Sequence, residues 1–271
     1  MQVAFWSNYH QTGTTYGTAA VATVTALEYR LKTLVTHNHF RKSGLETTFL
    51  DRSYLRSTLT DFSDAGIDAL SRFIKFNKVD KDNISNYTTT LLKKRLDLLI
   101  GTTSTNETLY YKDFNDAIDT ILLSAQEYYD LIFIDVASGD NELASKLFEH
   151  SDLIVVNLSQ NYNVLEDYFK NHSDKIGKSV FLIGRYDRSS RYNVKMLRRK
   201  YRLRDHDIAT IPYNIEFADC CSEGRIVDFF MKNLKAGKDD VNFFFIQEVR
   251  KTAELILKKL EIDTALKKSG D

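Results

Sequence analysis

The chain has 271 residues, of which 43% are hydrophobic, and its 37 basic and 37 acidic side chains cancel; it holds 11 glycines and a single proline. This composition excludes collagen-like, proline-rich and glycine/serine-linker classes, and it carries too much apolar surface for a disordered chain. Zero net charge argues against a globally basic nucleic-acid binder, although it does not exclude local asymmetry.

The opening run Val3-Ala4-Phe5-Trp6 predicts a first strand, and its short, strand-like character is not that of a signal peptide. Further apolar runs follow: Leu34-Val35, then Leu96 to Ile100 leading into Gly101, then Leu131 to Ile134 leading into Asp135. Leu153 to Val156 leads into Asn157, Val180 to Ile183 into Gly184, and Ile208 to Ile211 into Pro212. Runs of four to six apolar residues mark strands buried on both faces, as in parallel sheets. Helical patterns fall between and after them, over residues 14–30, 64–75, 113–128, 141–149, 163–171, 193–201 and 241–260. The alternation predicts an α/β fold: a doubly wound, mostly parallel sheet flanked by helices, with residues 1–271 forming a single domain. A ligand site belongs at the C-terminal ends of such strands. No run of about 18 apolar residues is present, so no transmembrane segment is expected. Adjacent Cys220 and Cys221 offer no disulfide framework; they read as buried packing in a reducing, cytoplasmic compartment.

After the first strand comes a polar loop, residues 8–13, and then a helix of small residues with Ala19, Ala20 and Ala22. Backbone N–H groups and a helix N-terminus at this position cradle phosphate in nucleotide-binding proteins. Four stretches carry a resemblance: Ser7-Asn8-Tyr9-His10-Gln11-Thr12-Gly13-Thr14-Thr15; Tyr128-Tyr129-Asp130-Leu131-Ile132-Phe133-Ile134-Asp135; Ser151-Asp152-Leu153-Ile154-Val155-Val156; and Ile211-Pro212-Tyr213-Asn214. Together they resemble the ParA/MinD family of deviant-Walker ATPases, which have a P-loop NTPase fold, over most of the chain. The resemblance implies ATP or ADP with magnesium as ligand and a homodimer as the assembly. It places Gly13, Thr14 and Thr15 at the phosphates, Thr15 and Asp135 at the magnesium ion, and Pro212 and Tyr213 near the base.

The departures from that pattern bear on chemistry. Tyr9 stands where the family has its signature lysine, Thr14 where it has the Walker lysine, and His10 and Gln11 where it has two glycines. Thr36-His37-Asn38-His39 puts histidines where the family has aspartates, one of which positions the attacking water, and Leu45-Glu46 resembles the end of that motif. Gly184 occupies the place of an asparagine that often reads adenine. Loss of cationic stabilisation and of the water-positioning carboxylate raises the barrier by several kcal/mol, so at most a weak ATPase is expected. Other readings stay open. Gly13, Thr14 and Thr15 can form a remodelled turn with Thr14 or Thr15 as helix cap, and Asp135 can be a strand-end carboxylate capping the next segment. His37 and His39 have no evident third metal ligand, so a polar strand end is the better reading. Asp61 and Asp64 read as solvated helix caps more readily than as a partner-exchange face.

The concealed asymmetry lies between Arg185 and Arg204, where nine basic residues face one acidic residue, Asp187. A solvated face is one reading. The other is an anionic partner, whether DNA backbone, membrane lipid or an acidic protein, with Arg198, Arg199, Lys200 and Arg202 as the contact residues; the resemblance favours non-specific DNA. In the last helix Ile246, Val249, Ala253, Ile256, Leu257 and Leu260 recur at three- and four-residue spacing. That stripe is expected to pack on the sheet and not to anchor in a membrane. The pilus-localising TadZ/CpaE group is the nearest functional analogue. It suggests a positioning factor that recruits a protein of a pilus, secretion or conjugation system, cytoplasmic or peripheral at nucleoid or membrane. An active partition-type ATPase and a nucleotide-free scaffold are the alternatives.

Overall fold

The computed structural model describes residues 1–40, 44–51, 53–55, 65–77, 83–173 and 178–268. Asp61 and Asp64 lie outside the described residues. The strands are β1 (Gln2–Trp6), β2 (Thr33–His37), β3 (Thr89–Leu92), β4 (Leu96–Leu98), β5 (Leu131–Asp135), β6 (Leu153–Leu158), β7 (Ser179–Tyr186) and β8 (Ile208–Pro212). They form an eight-stranded sheet in the order β3-β4-β2-β5-β1-β6-β7-β8. Every neighbouring pair is parallel except β3 with β4.

The helices are α1 (Thr14–Glu28), α2 (Gly44–Phe49), α3 (Gly66–Ile74), α4 (Glu107–Tyr128), α5 (Glu142–His150), α6 (Tyr162–Asn171), α7 (Val194–Tyr201), α8 (Ile215–Ser222), α9 (Ile226–Asn233), α10 (Phe243–Lys259) and α11 (Thr264–Lys267). Successive residues of a strand point to opposite faces, and β1 divides accordingly. Val3 and Phe5 join one core with α1, α8, α9 and α10, while Ala4 and Trp6 join a second with α3 to α7. The expected doubly wound α/β sheet is therefore present. β1 sits between β5 and β6, at the point where the strand order reverses, so its C-terminal loop opens at the topological switch point.

Helix α1 is buried at every position from Gly17 to Ala26, which suits its alanines and glycine: small side chains let it lie close between the sheet and α10. Asparagine starts five helices, with Asn106, Asn141, Asn161, Asn193 and Asn214 each accepting a backbone N–H of the first turn. The expected apolar stripe of the last long helix is buried, from Ile246 to Leu260, against α1 and β8. Cys221 is buried as expected, and Cys220 is half-buried.

Some boundaries differ from the sequence reading. Helix α4 begins at Glu107, six residues before 113, because Asn106 caps it and Tyr110 turns into the core. Strand β3 escaped because Thr89, Thr90, Leu91 and Leu92 form no buried apolar run; it is a partly exposed antiparallel edge. Helices α2, α8 and α9 run only six to eight residues, too short for a period to show.

Candidate functional site

The loop after β1 is held by its own polar groups. Ser7 Oγ accepts the N–H of Tyr9 at 3.2 Å. Asn8 donates through Nδ2 to Val164 O at 3.1 Å and Asp167 Oδ2 at 2.9 Å, tying the loop to α6. Gln11 (φ 61°) and Gly13 (φ 91°) adopt left-handed backbone, which turns the chain into α1. The residue flanking the helix is Gly13, with no side-chain cap, so neither Thr14 nor Thr15 serves as the cap. Instead the Thr14 hydroxyl lies 3.1 Å from that of Thr12. Tyr9, where the resemblance places a lysine, is 43% exposed.

Gly184 has a local structural reason. A Cβ added there would come within 2.3 Å of the Thr12 carbonyl oxygen, so only glycine lets β7 pass beneath the loop. The expectation that the strand ends before Gly184 is corrected: β7 runs on to Tyr186.

On the other side of β1, Asp135 ends β5 in register with Phe5 of β1 and His37 of β2. The Thr15 hydroxyl donates to Asp135 Oδ2 at 2.7 Å, and His39 Nε2 approaches the same oxygen at 3.3 Å. Asp135 is fully buried, and its Oδ1 has no hydrogen-bond partner among the described residues. It does not cap the following segment; Asn38 Oδ1 accepts the N–H of Ala137 there. Burial disfavours a charged His39, but the hydrogen bond and charge of Asp135, with Glu46 nearby, outweigh it and raise the imidazole above its ordinary value.

His37 belongs to a locked cluster. The backbone N–H of His39 donates to His37 Nδ1 at 3.1 Å, so the ring's proton sits on Nε2, which meets Glu46 Oε1. Gly101 N–H donates to the same Glu46 oxygen at 3.0 Å. A Cβ at Gly101 would lie 2.3 Å from the His37 ring, so this glycine is needed for the ring to fit. Burial opposes ionisation of Glu46, yet His37 and the Gly101 N–H hold its carboxyl below the usual range. Among the described residues no group of three or more His, Cys, Asp or Glu is placed to hold a metal ion.

Beyond Gly13 lies a cavity of about 250 Å³, lined in part by Gly13, Leu182, Ile211, Pro212 and Tyr213. The structure thus gathers Gly13, Pro212 and Tyr213 at one cavity and joins Thr15 to Asp135. Asn157 and Arg185 also line that cavity, and neither was singled out from sequence as a site residue. A polar residue closing the buried run Leu153 to Val156 was the one signal for Asn157.

The basic segment is placed at β7 and α7, on the edge near β8. Carboxylates outside the segment meet part of it: tertiary structure brings Glu166 to Lys200 at 2.6 Å, while the adjoining Asp207 meets Arg204 at 2.7 Å and the adjoining Asp205 pairs with Arg198. Arg199 and Arg202 are exposed and have no carboxylate partner among the described residues. The four residues named from sequence are therefore not equivalent.

No protein-family model and no curated protein matches the sequence. Solved structures do match. A ParA family ATPase from Chlorobium tepidum superposes with a TM-score of 0.71 at 14% identity, covering 93% of this chain and 97% of that one. The fold is that of the ParA and MinD ATPases. The septum site-determining protein MinD of Pyrococcus horikoshii, complexed with Mg-ADP, gives a TM-score of 0.68 at 16% identity over 96% of this chain and 99% of its own. A plasmid partition protein from Borrelia burgdorferi bound to AMPPNP gives 0.64 at 17% over 95% and 98%. A ParA/MinD fold accounts for the sheet order and the position of the loop after β1. No helix among the described residues is long and apolar enough to cross a membrane.

Proposed function

We propose that this protein is a nucleotide-binding member of the ParA/MinD class that hydrolyses ATP slowly or not at all. On this reading residues 1–271 act as one unit, a dimeric positioning factor that recruits a protein of a pilus, secretion or conjugation machine. One observation carries the nucleotide reading: Thr15 and the buried Asp135 meet beside Gly13 at the switch point, and one Asp135 oxygen is left without a donor. A buried carboxylate oxygen without a partner calls for an explanation. A hard divalent cation that keeps several waters fits this donor pair. Thr15 and Asp135 are the residues that would hold magnesium, which there would neutralise phosphate charge. Structural neighbours crystallised with Mg-ADP and with AMPPNP support the same ligand class.

Slow hydrolysis follows from what the residues around that pair do. Thr14 turns its hydroxyl to Thr12 and supplies no cation. His37 and His39 stand where the resemblance places aspartates, and with His37 facing Glu46 and His39 facing Asp135 neither ring is free to orient water in their place. Loss of such groups costs orders of magnitude in rate. Calorimetric titration with ATP and ADP, with and without magnesium, tests binding, and phosphate release tests turnover. Binding with turnover far below one per minute is expected. Ordinary turnover would support the partition-type ATPase, and no binding at millimolar nucleotide would support the scaffold.

A second element of the reading concerns the anionic partner. Exposed Arg199 and Arg202, with Arg191 and Lys195 also exposed, support contact with a phosphate-rich surface such as non-specific DNA.

A further inference from the structure

The cavity beside Gly13 contains two polar groups that the loop and the Thr15–Asp135 pair do not explain. Asn157, in β6, is 0% exposed, and neither Oδ1 nor Nδ2 has a hydrogen-bond partner among the described residues. It lines the cavity next to α1, where a Cβ at Gly17 would stand 3.2 Å from Oδ1. A fully buried amide with no partner is rare, and the cost of keeping one is offset where a ligand satisfies it. The second group is Arg185. It is the one charged side chain among the cavity's lining residues, and it has no carboxylate partner among the described residues. Its φ is 49°, left-handed for a non-glycine residue, at a break in the β7–β8 register between Ile183 and Tyr186. Its side chain lies against the loop: a Cβ at Gly13 would meet Arg185 Cγ at 3.9 Å. Strained backbone and bulges of this kind re-aim side chains and gather at ligand sites.

We propose that Arg185 and Asn157 are the recognition pair for the ligand of this cavity, a phosphate-bearing compound with a polar planar ring. Arg185 faces the anion, and the Asn157 amide offers one donor and one acceptor to the uncharged part. The positive charge missing from Tyr9 and Thr14 has thus moved across the cavity to β7. A guanidinium pairs with phosphate through fixed, parallel N–H donors, so it replaces a lysine without needing the lysine's place in the loop. This inference rests on the nucleotide reading and names the residues that would make it work.

The test is calorimetric titration of wild type, Arg185→Ala, Arg185→Lys and Asn157→Ala with ATP, ADP and adenosine, together with melting curves of each unliganded protein. Arg185→Ala is expected to weaken ATP and ADP about tenfold and leave adenosine unchanged, with partial recovery in Arg185→Lys. Asn157→Ala is expected to weaken all three ligands while the unliganded melting temperature holds or rises, because the amide it removes has no partner to lose. A purely structural Asn157 would show the reverse: a lower melting temperature and unchanged affinity. Wild-type affinity for ATP in Arg185→Ala would overturn this inference while leaving the nucleotide reading intact. Failure of wild type to bind any of the three ligands would overturn both.

Discussion

The Thr15 hydroxyl donates a 2.7 Å hydrogen bond to Asp135 Oδ2, joining the first turn of α1 to the end of β5 across 120 residues of sequence. The contact closes on the buried side of the switch point, where His39 also reaches the carboxylate. Its energetic weight comes from burial: a buried acceptor is worth most when its donors would otherwise be stranded.

Asp135→Ala would strand the Thr15 hydroxyl and remove the carboxylate that His39 faces at 3.3 Å. The expected loss of stability is about 1–3 kcal/mol by urea denaturation. The same variant should abolish any strengthening of nucleotide binding by magnesium. An undiminished magnesium effect in calorimetry would remove Asp135 from the ion site.

Gly184→Ala tests the packing of β7 under the loop. The added methyl would fall 2.3 Å from a carbonyl oxygen, a backbone atom with little room to yield. Overpacking of this kind costs about 1–3 kcal/mol, read as a lower midpoint in denaturant. Because Thr12 adjoins Gly13, the displaced loop should also weaken ligand binding. A variant as stable as wild type would mean the loop shifts at little cost.

The basic segment makes a graded prediction. Arg199→Glu with Arg202→Glu should abolish DNA affinity measured by fluorescence anisotropy. Arg198→Glu with Lys200→Glu, the same change in charge, should weaken it less, because those cations already face Asp205 and Glu166. Wild-type affinity should fall steeply with salt, with a log–log slope near −0.9 for each phosphate neutralised. Equal losses in the two double variants would reject the distinction drawn from the ion pairs.

Stability should fall at both ends of the pH range, for separate reasons. Glu46 titrates below its ordinary value in the folded state, so its contribution is complete above that value and is lost as pH falls through the lowered one. His39 titrates above its ordinary value, so its contribution is complete below about 6.5 and is lost as pH rises through the raised one. In chemical denaturation across pH, Glu46→Gln should flatten the acid limb and His39→Gln the alkaline limb. A His39→Gln profile parallel to wild type above neutrality would refute the second assignment.

The fold was legible because its signals are local. Val3 to Trp6, Leu131 to Ile134 and Leu153 to Val156 are unbroken apolar runs, and only a strand covered on both faces tolerates them. The ranges 141–149 and 193–201 opened on Asn141 and Asn193, the residues that cap those helices, and such a cap is local because its side chain accepts an N–H within one turn. Gly13, Thr15 and Asp135 were legible only as a pattern, since nothing in the order of residues brings position 15 to position 135. Short α8 and α9 and the exposed strand β3 were not legible, because their burial is decided by what packs on them.

By itself the sequence determined the alternation of strand and helix, the glycine-poor loop without lysine, and the run of nine basic residues. Tertiary structure decided how those charges and polar groups are used. It laid the distant Glu166 against Lys200 of the basic segment, and it made Gly184 the space for Thr12. It also left Asn157 unpaired beside Arg185 in one cavity. Residue type sets which hydrogen bonds and charges exist, but their energy depends on partners and burial, and those are assigned only when distant segments meet.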